Sequence, residues 1–276
     1  MFTSAMQLKS YIKNKSKQTG THANELLQNY MLERFLERMS LSAYRENVIL
    51  KGGFLIAAMV GVNKRSTMDM DTTVKGLPVS RDGIEKLMGE IIAIKVDDGV
   101  TFKIKGIKSI HEISEYDDFR VNMSASFLSI NVSMSIDITT GDSIIPREIE
   151  YDYKLMFEDR TIPVMAYNVY TILAEKIETI LARGVGNTRG RDYYDAHLLL
   201  SENKNTLVRQ VLLNAVQIKA EERGSVPAIE NHAKILSDIA ASTDIAKIWD
   251  SYAKRYHYAK GINLPDTLAL VAWVFE

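Results

Sequence analysis

Residues 47–73, NVILKGGFLIAAMVGVNKRSTMDMDTT, decide the fold. The apolar run Val48-Ile49-Leu50 reads as the heart of a short buried strand over 47–51. It runs into Gly52-Gly53, and residues 54–60 are apolar enough for a helix. Glycines at such a junction let a ligand approach the backbone, and the helix start offers unpaired N–H groups to an anion. A tight turn with no ligand asks for the same glycines, so the pair alone is a weak signal. Next come Arg65-Ser66-Thr67-Met68-Asp69-Met70-Asp71, opening a strand expected over 67–75. Carboxylates at alternate strand positions share one face. Together they suit Mg2+, a hard cation that takes oxygen ligands. An isolated pair on an exposed strand is commonly only solvated. Its closeness to the glycine pair is what points to metal-dependent phosphoryl or nucleotidyl chemistry.

Helical spacing is expected on the N-terminal side, over 5–18 and 22–39, with Leu26, Leu27, Tyr30, Met31, Arg34 and Phe35 recurring on the second helix. Thr21 or Asn24 can cap that helix. Downstream, Pro78 and Asp82 punctuate a helix near 82–94. Strands are then expected at 99–105, 107–114, 118–126, 127–138 and 145–151. The clearest alternation sets Ile130, Val132, Met134, Ile136 and Ile138 against Asn131, Ser133, Ser135 and Asp137. Asp137 ends that polar face and is the candidate third metal ligand. It also reads as a turn aspartate ahead of Thr139-Thr140-Gly141-Asp142.

After Pro163 the pattern becomes helical, over 166–183, 192–201, 204–222, 227–241, 243–258 and 264–275. An α+β, bilobed fold is therefore expected: residues 1–162 form a lobe with a mixed β-sheet and flanking helices, and 163–276 a helical lobe. A cleft between lobes is where a ligand is expected. In the first helix of the second lobe, Lys176 falls within the stripe Val169, Ile172, Leu173, Ile177 and Ile180. A lysine there needs an anion or a route to water. It can meet a triphosphate, snorkel past the core, or pair with a neighbouring carboxylate. Beyond the loop Gly184-Val185-Gly186-Asn187, Asp192 and Asp195 share a helix face at i, i+3, following Arg189 and Arg191. Asp192 reads equally as a helix-start acid, and the arginines as phosphate contacts or as partners of the two acids.

The 276 residues are 46% hydrophobic with a formal net charge of −1, so the core is sizeable and no global basic character announces nucleic acid. With no cysteine, disulfides, thiolate metal sites and cysteine nucleophiles are excluded. No apolar run approaches the ~20 residues that span a bilayer, and the N-terminus lacks the apolar core of a secretory signal. A cytoplasmic protein is expected.

Taken together, these residues resemble the AbiEii-type nucleotidyltransferase toxins, a branch of the DNA polymerase β-like nucleotidyltransferase superfamily. Gly52-Gly53 match the family's glycine motif, which positions the triphosphate. Arg65, Thr67, Asp69 and Asp71 match its R-x-[ST]-x-D-x-D stretch, whose acids bind metal. Lys176 matches a functional lysine, and Arg191-Asp192 with Asp195 match R-D-x-x-D. Phe54 departs from it, standing where many members carry a hydroxyl residue, and the third carboxylate, here Asp137, is the family's least constant element. The resemblance implies the bilobed nucleotidyltransferase fold, with Asp69, Asp71, Lys176 and Asp192 catalytic. It implies nucleotide contacts from Gly52, Gly53, Arg65, Thr67, Lys176 and Asp195, and Mg2+ or Mn2+ at Asp69, Asp71 and Asp137. It further implies a type IV toxin active in abortive infection against phage, using GTP and an RNA acceptor such as tRNA. Its antitoxin would be a transcriptional regulator that makes no direct contact. The same residues would serve nucleotidyl transfer to a protein hydroxyl, or a nucleotide sensor without turnover.

Overall fold

A computed structural model describes residues 2–77, 79–110 and 118–276. Pro78 and the 111–114 end of one expected strand lie outside the described residues. The chain forms two compact units, Met1–Asp142 with Glu148–Tyr167, and Ser143–Arg147 with Asn168–Glu276.

The first unit is built on a mixed sheet. Among the described residues its strands are β1 (Val48–Lys51), β2 (Met70–Val74), β3 (Val100–Ser109), β4 (Phe119–Phe127), β5 (Ile130–Thr140), β6 (Ile149–Lys154) and β7 (Thr161–Ala166), in the order β3-β4-β5-β2-β1-β7-β6. β2 runs parallel to β5 and antiparallel to β1, and β1 runs parallel to β7. Both faces of β1 are buried, which is why it reads as a continuous apolar run. β4 and β5 alternate instead: Val121, Met123 and Ala125 are buried on one face, as are Met134, Ile136 and Ile138. The expected split between 99–105 and 107–114 is a register shift between Ile104 and Gly106 within one strand, β3.

β7 was not foreseen, because Pro163 reads as a break. In the structure Pro163 lies inside the strand opposite Asp152 of β6, while the pairing of β7 with β1 is Leu50 with Ala166. A proline is tolerated where no ladder N–H is required. The first unit consequently runs a few residues past the expected boundary, to Tyr167.

Among the described residues, four helices belong to this unit: α1 (Ala5–Thr19), α2 (Ala23–Leu41), α3 (Gly52–Val60) and α4 (Arg81–Ala93). α2 is buried along almost its whole length from Gln28 to Ser40, charged residues included. Its charges are matched locally. Arg34 meets Glu33 at 2.8 Å, Glu37 at 3.0 Å and Glu158 at 2.8 Å, and Arg38 forks onto Asp98 at 2.7 and 2.9 Å. Glu33 also accepts the Met156 N–H at 2.6 Å. Burial nonetheless outweighs Arg34 and pushes the Glu33 carboxyl up to about 7, the charge of Glu158 adding to the rise. The folded state thus holds this proton more tightly than the unfolded chain. Its contribution is complete below the ordinary glutamate value and is lost as pH rises toward 7, by up to roughly 3 kcal/mol. Urea unfolding at pH 5 and pH 8 is expected to show that loss, and Glu33→Gln to flatten it. An unchanged slope in the variant would assign the pH dependence elsewhere.

The second unit contains α5 (Val169–Arg183), α6 (Gly190–Asn203), α7 (Arg209–Glu222), α8 (Val226–Glu230), α9 (His232–Ala241), α10 (Thr243–Arg255) and α11 (Leu264–Trp273). α5 starts at Val169 rather than 166 because Asn168 caps it, accepting the Thr171 N–H at 3.0 Å. Asn263 caps α11 in the same way through Asp266, with Pro265 in its first turn.

Candidate active site

The site in the first unit is a row of charges across four neighbouring strands. Lys51 of β1 faces Asp71 of β2, Asp71 faces Asp137 of β5, and Asp137 faces Arg120 of β4. Directly opposed residues of adjacent strands present their side chains to one face. The sheet therefore assembles two adjacent carboxylates flanked by two cations.

Glycine shapes the edge of this row. Gly52 opens α3 with φ +67°, a conformation that strains any residue with a Cβ. A Cβ at Gly52 would lie 2.1 Å from Asp71 Oδ2, so the backbone of the β1–α3 junction rests directly against that carboxylate. A Cβ at Gly53 would lie 3.1 Å from an Arg65 Nη and 3.2 Å from Thr67 Oγ1. Gly52, Gly53, Arg65, Thr67 and Asp71 are thus brought together as one constellation. Arg65 is buried and donates to the Ser66 carbonyl; Thr67 Oγ1 lies 3.4 Å from the Asp69 carbonyl. Phe54 points elsewhere: it is buried and stacked on Tyr153, ring centroids 5.7 Å apart with planes at 7°. The position that departs from the hydroxyl pattern is core packing here.

Asp69 is exposed just ahead of β2, and its Oδ1 accepts the Ser135 hydroxyl at 2.8 Å. Asp137 is held differently, with Arg120 Nε and Nη2 each donating to one of its oxygens at 2.7 Å. The bonds to Asp137 and its charge, then the charges of Asp69 and Asp71, hold the Arg120 guanidinium well above the ordinary arginine range. Arg120 was missed from sequence. The signal was present: the tight turn at Leu128-Ser129 pairs Phe127 with Ile130, and the same register carries Arg120 opposite Asp137.

Among the described residues, no three carboxylate, histidine or cysteine side chains are grouped to hold a metal unaided. Mg2+ in general keeps several waters and takes one or two carboxylates plus substrate phosphates. Asp69 and Asp71 supply hard oxygen donors of this kind, and Asp71 lies directly against the glycine junction. Asp137 spends both oxygens on Arg120.

Lys176, Asp192 and Asp195 come together in the second unit. The Lys176 Nζ lies 3.1 Å from Asp192 Oδ1 and 3.0 Å from Asp195 Oδ2. The lysine inside an apolar stripe is explained by two acids of α6 packed against α5, rather than by acids around Glu175 or Glu178. Glu175 and Glu178 pair instead with Arg223, at 3.3 and 2.6 Å. Asp192 sits in the first turn of α6. Neither Arg189 nor Arg191 is at ion-pair distance from a carboxylate among the described residues.

A family model described as nucleotidyl transferase AbiEii toxin, type IV TA system, matches residues 34–270. Among solved structures, a candidate nucleotidyltransferase from Helicobacter pylori shares 12% identity, covers 92% of this chain and 94% of its own, and superposes with a TM-score of 0.53. JHP933 from Helicobacter pylori shares 12% identity over 91% of this chain and 89% of its own, with a TM-score of 0.49. The first of these shares the fold. Among proteins of curated function, none matches the sequence. No helix of the described residues is long and apolar enough to cross a membrane.

Proposed function

From the premise that this chain belongs to the nucleotidyl transferase AbiEii toxin family of type IV toxin–antitoxin systems, we propose that it binds a nucleoside triphosphate, GTP on the family's pattern, at Gly52-Gly53 and Asp69–Asp71. It transfers the nucleotidyl group to an RNA acceptor, such as the 3′ end of a tRNA. The observation that carries this is the contact of the Gly52 backbone against the Asp71 carboxylate. An anion-accepting junction and a cation-accepting acid lie within one van der Waals contact of each other.

In the reaction, the acceptor hydroxyl oxygen bonds to the α-phosphorus while the bond from that phosphorus to the departing oxygen breaks. Pyrophosphate leaves with the electron pair and the hydroxyl proton passes to water. Mg2+ or Mn2+ held by Asp69 and Asp71 supplies, when bound, neutralisation of phosphate charge and a more acidic acceptor hydroxyl. This chain's own residues bind and orient. Gly52 and Gly53 let the backbone come up against Asp71, Arg65 and Thr67, the N–H groups at the start of α3 would meet phosphate, and Ser135 fixes the Asp69 carboxylate. Arg120 holds Asp137 in place beside Asp71 and offsets the charge of the acidic row. Positioning and charge carry the rate, as nucleotidyl transfer asks for little covalent chemistry from the protein. For Lys176, Asp192 and Asp195 the assignment rests on the family pattern and on the ion cluster they form. Cytoplasmic substrates, arrest of translation during phage infection, and an antitoxin that regulates transcription without contact complete the proposal.

The test incubates the purified protein with each labelled nucleoside triphosphate, Mg2+ or Mn2+, and total RNA or total protein. Divalent-dependent label on RNA is expected, strongest with GTP. Label on protein instead would replace the RNA acceptor with a protein hydroxyl. Bound nucleotide with no labelled macromolecule under any condition would sink nucleotidyl transfer.

A further inference from the structure

A cavity of about 470 Å³ opens in the second unit between the start of α6 and one face of α10. Such a volume lies within the ~300–1,000 Å³ of small-molecule sites. Four cations line it, Arg189 and Arg191 from the α6 side and Lys247 and Arg255 from α10, together with Tyr252 and Tyr256. Lys247 has a carboxylate partner, Asp244 at 3.1 Å. Among the described residues no carboxylate lies at ion-pair distance from Arg189, Arg191 or Arg255. In a chain of net charge −1 this is a concentrated positive surplus. Partial burial, then repulsion from Arg183 and Arg191, pushes the Arg189 guanidinium below its ordinary value, with Asp192 opposing. An anion placed there would relieve both effects.

The aromatic side is just as specific. Tyr256 lies 4.7 Å from Tyr252 and stacks on Tyr258 at 5.3 Å and 20°, with the Arg255 guanidinium 5.5 Å from its centroid. Tyr252 and Tyr256 are only half-buried, so a ring edge or face remains for a ligand. Gly190 lets the two walls approach, since a Cβ there would lie 2.7 Å from the Tyr252 side chain. Guanidinium groups beside tyrosine rings match a strand that carries both phosphates and exposed bases. An acidic peptide would use the cations and leave the rings idle, and a duplex hides its base faces.

We propose that this pocket binds a segment of single-stranded nucleic acid, its phosphates on Arg189, Arg191 and Arg255 and a base against Tyr256. The site lies wholly within the second unit and its occupancy needs neither nucleotidyl transfer nor a divalent ion.

The test uses the full chain in EDTA without nucleoside triphosphate, so its outcome is separate from that of the transfer assay. Fluorescence anisotropy follows a labelled 12-nucleotide single strand, as RNA and as DNA, with duplex of the same sequence and polyglutamate as competitors. Tight binding of either single strand supports the site, and the two arms tell which backbone it prefers. Arg191→Ala with Arg255→Ala is expected to weaken binding at least tenfold and to lower the slope of log K against log salt by about 1.4, two phosphate contacts' worth. Tyr256→Ala is expected to weaken it by about tenfold, and Tyr256→Phe to restore it. Wild-type binding in these variants, or equal competition by duplex or polyglutamate, would overturn the proposal.

Discussion

Replacing Gly52 with alanine is expected to lower nucleotidyl transfer by ~10²-fold or more, although the change adds one methyl group and removes no functional atom. Two costs act together. The left-handed backbone at φ +67° disfavours an L-residue with a Cβ by roughly 1–2 kcal/mol. The added methyl would lie 2.1 Å from Asp71 Oδ2, 2.7 Å from Cγ and 2.8 Å from Cβ, so either the carboxylate or the junction must move. If Asp71 has the orienting role proposed for it, a displacement of about an ångström there is enough for a loss of that size. Asp71→Ala should lose transfer comparably while removing the collision. Steady-state labelling of RNA and thermal unfolding of Gly52→Ala, Asp71→Ala and the double variant separate the effects. The methyl's destabilisation should shrink in the Asp71→Ala background, because the two positions touch. Equal destabilisation in both backgrounds, or near-normal transfer by Gly52→Ala, would show that the junction does not hold the carboxylate.

The sheet face carrying this contact was legible because local sequence spacing determines it. Asp69 and Asp71 alternate, Gly52-Gly53 closes an apolar strand, and Asp137 falls on the polar face of an alternating one. The adjacency of Asp71 and Asp137 is another matter. It comes from the parallel pairing of β2 with β5, a long-range choice that no spacing encodes. Arg120 escaped notice for a related reason, since its meaning depends on a partner across a hairpin rather than on its neighbours in sequence. β7 was hidden by Pro163, a residue that ends helices and central strands but is harmless where its missing N–H has nothing to pair with. In the second unit the lysine was conspicuous on its stripe and its partners were not, because an acid early in a helix is equally a dipole-stabilising residue. Neither was the cavity beside Arg189, formed by residues some sixty positions apart, along the α6 start and α10.

Removing the ammonium of Lys176 is the perturbation expected to cost the most stability. Asp195 is fully buried and Asp192 nearly so, with side-chain exposures of 0% and 5%, and Lys176 itself is only 16% exposed. Breaking a buried ion cluster from one side leaves charge in a poor solvent, and typically costs about 3–5 kcal/mol. Lys176→Met keeps most of the stem's volume within the apolar stripe of α5, so the loss reports the charge rather than the packing. A fall of roughly 10 °C in the melting temperature is expected for a unit of this size. Asp195→Asn should be destabilising alone yet recover part of the loss when combined with Lys176→Met, since each then removes what the other left uncompensated. The same variants distinguish scaffolding from nucleotide contact. Assayed well below its melting temperature, Lys176→Met should raise the KM for nucleoside triphosphate if the ammonium also meets phosphate, and leave it unchanged if holding α6 against α5 is its whole task. A Lys176→Met protein as stable as the wild type would remove the ion cluster from any account of how this unit is built.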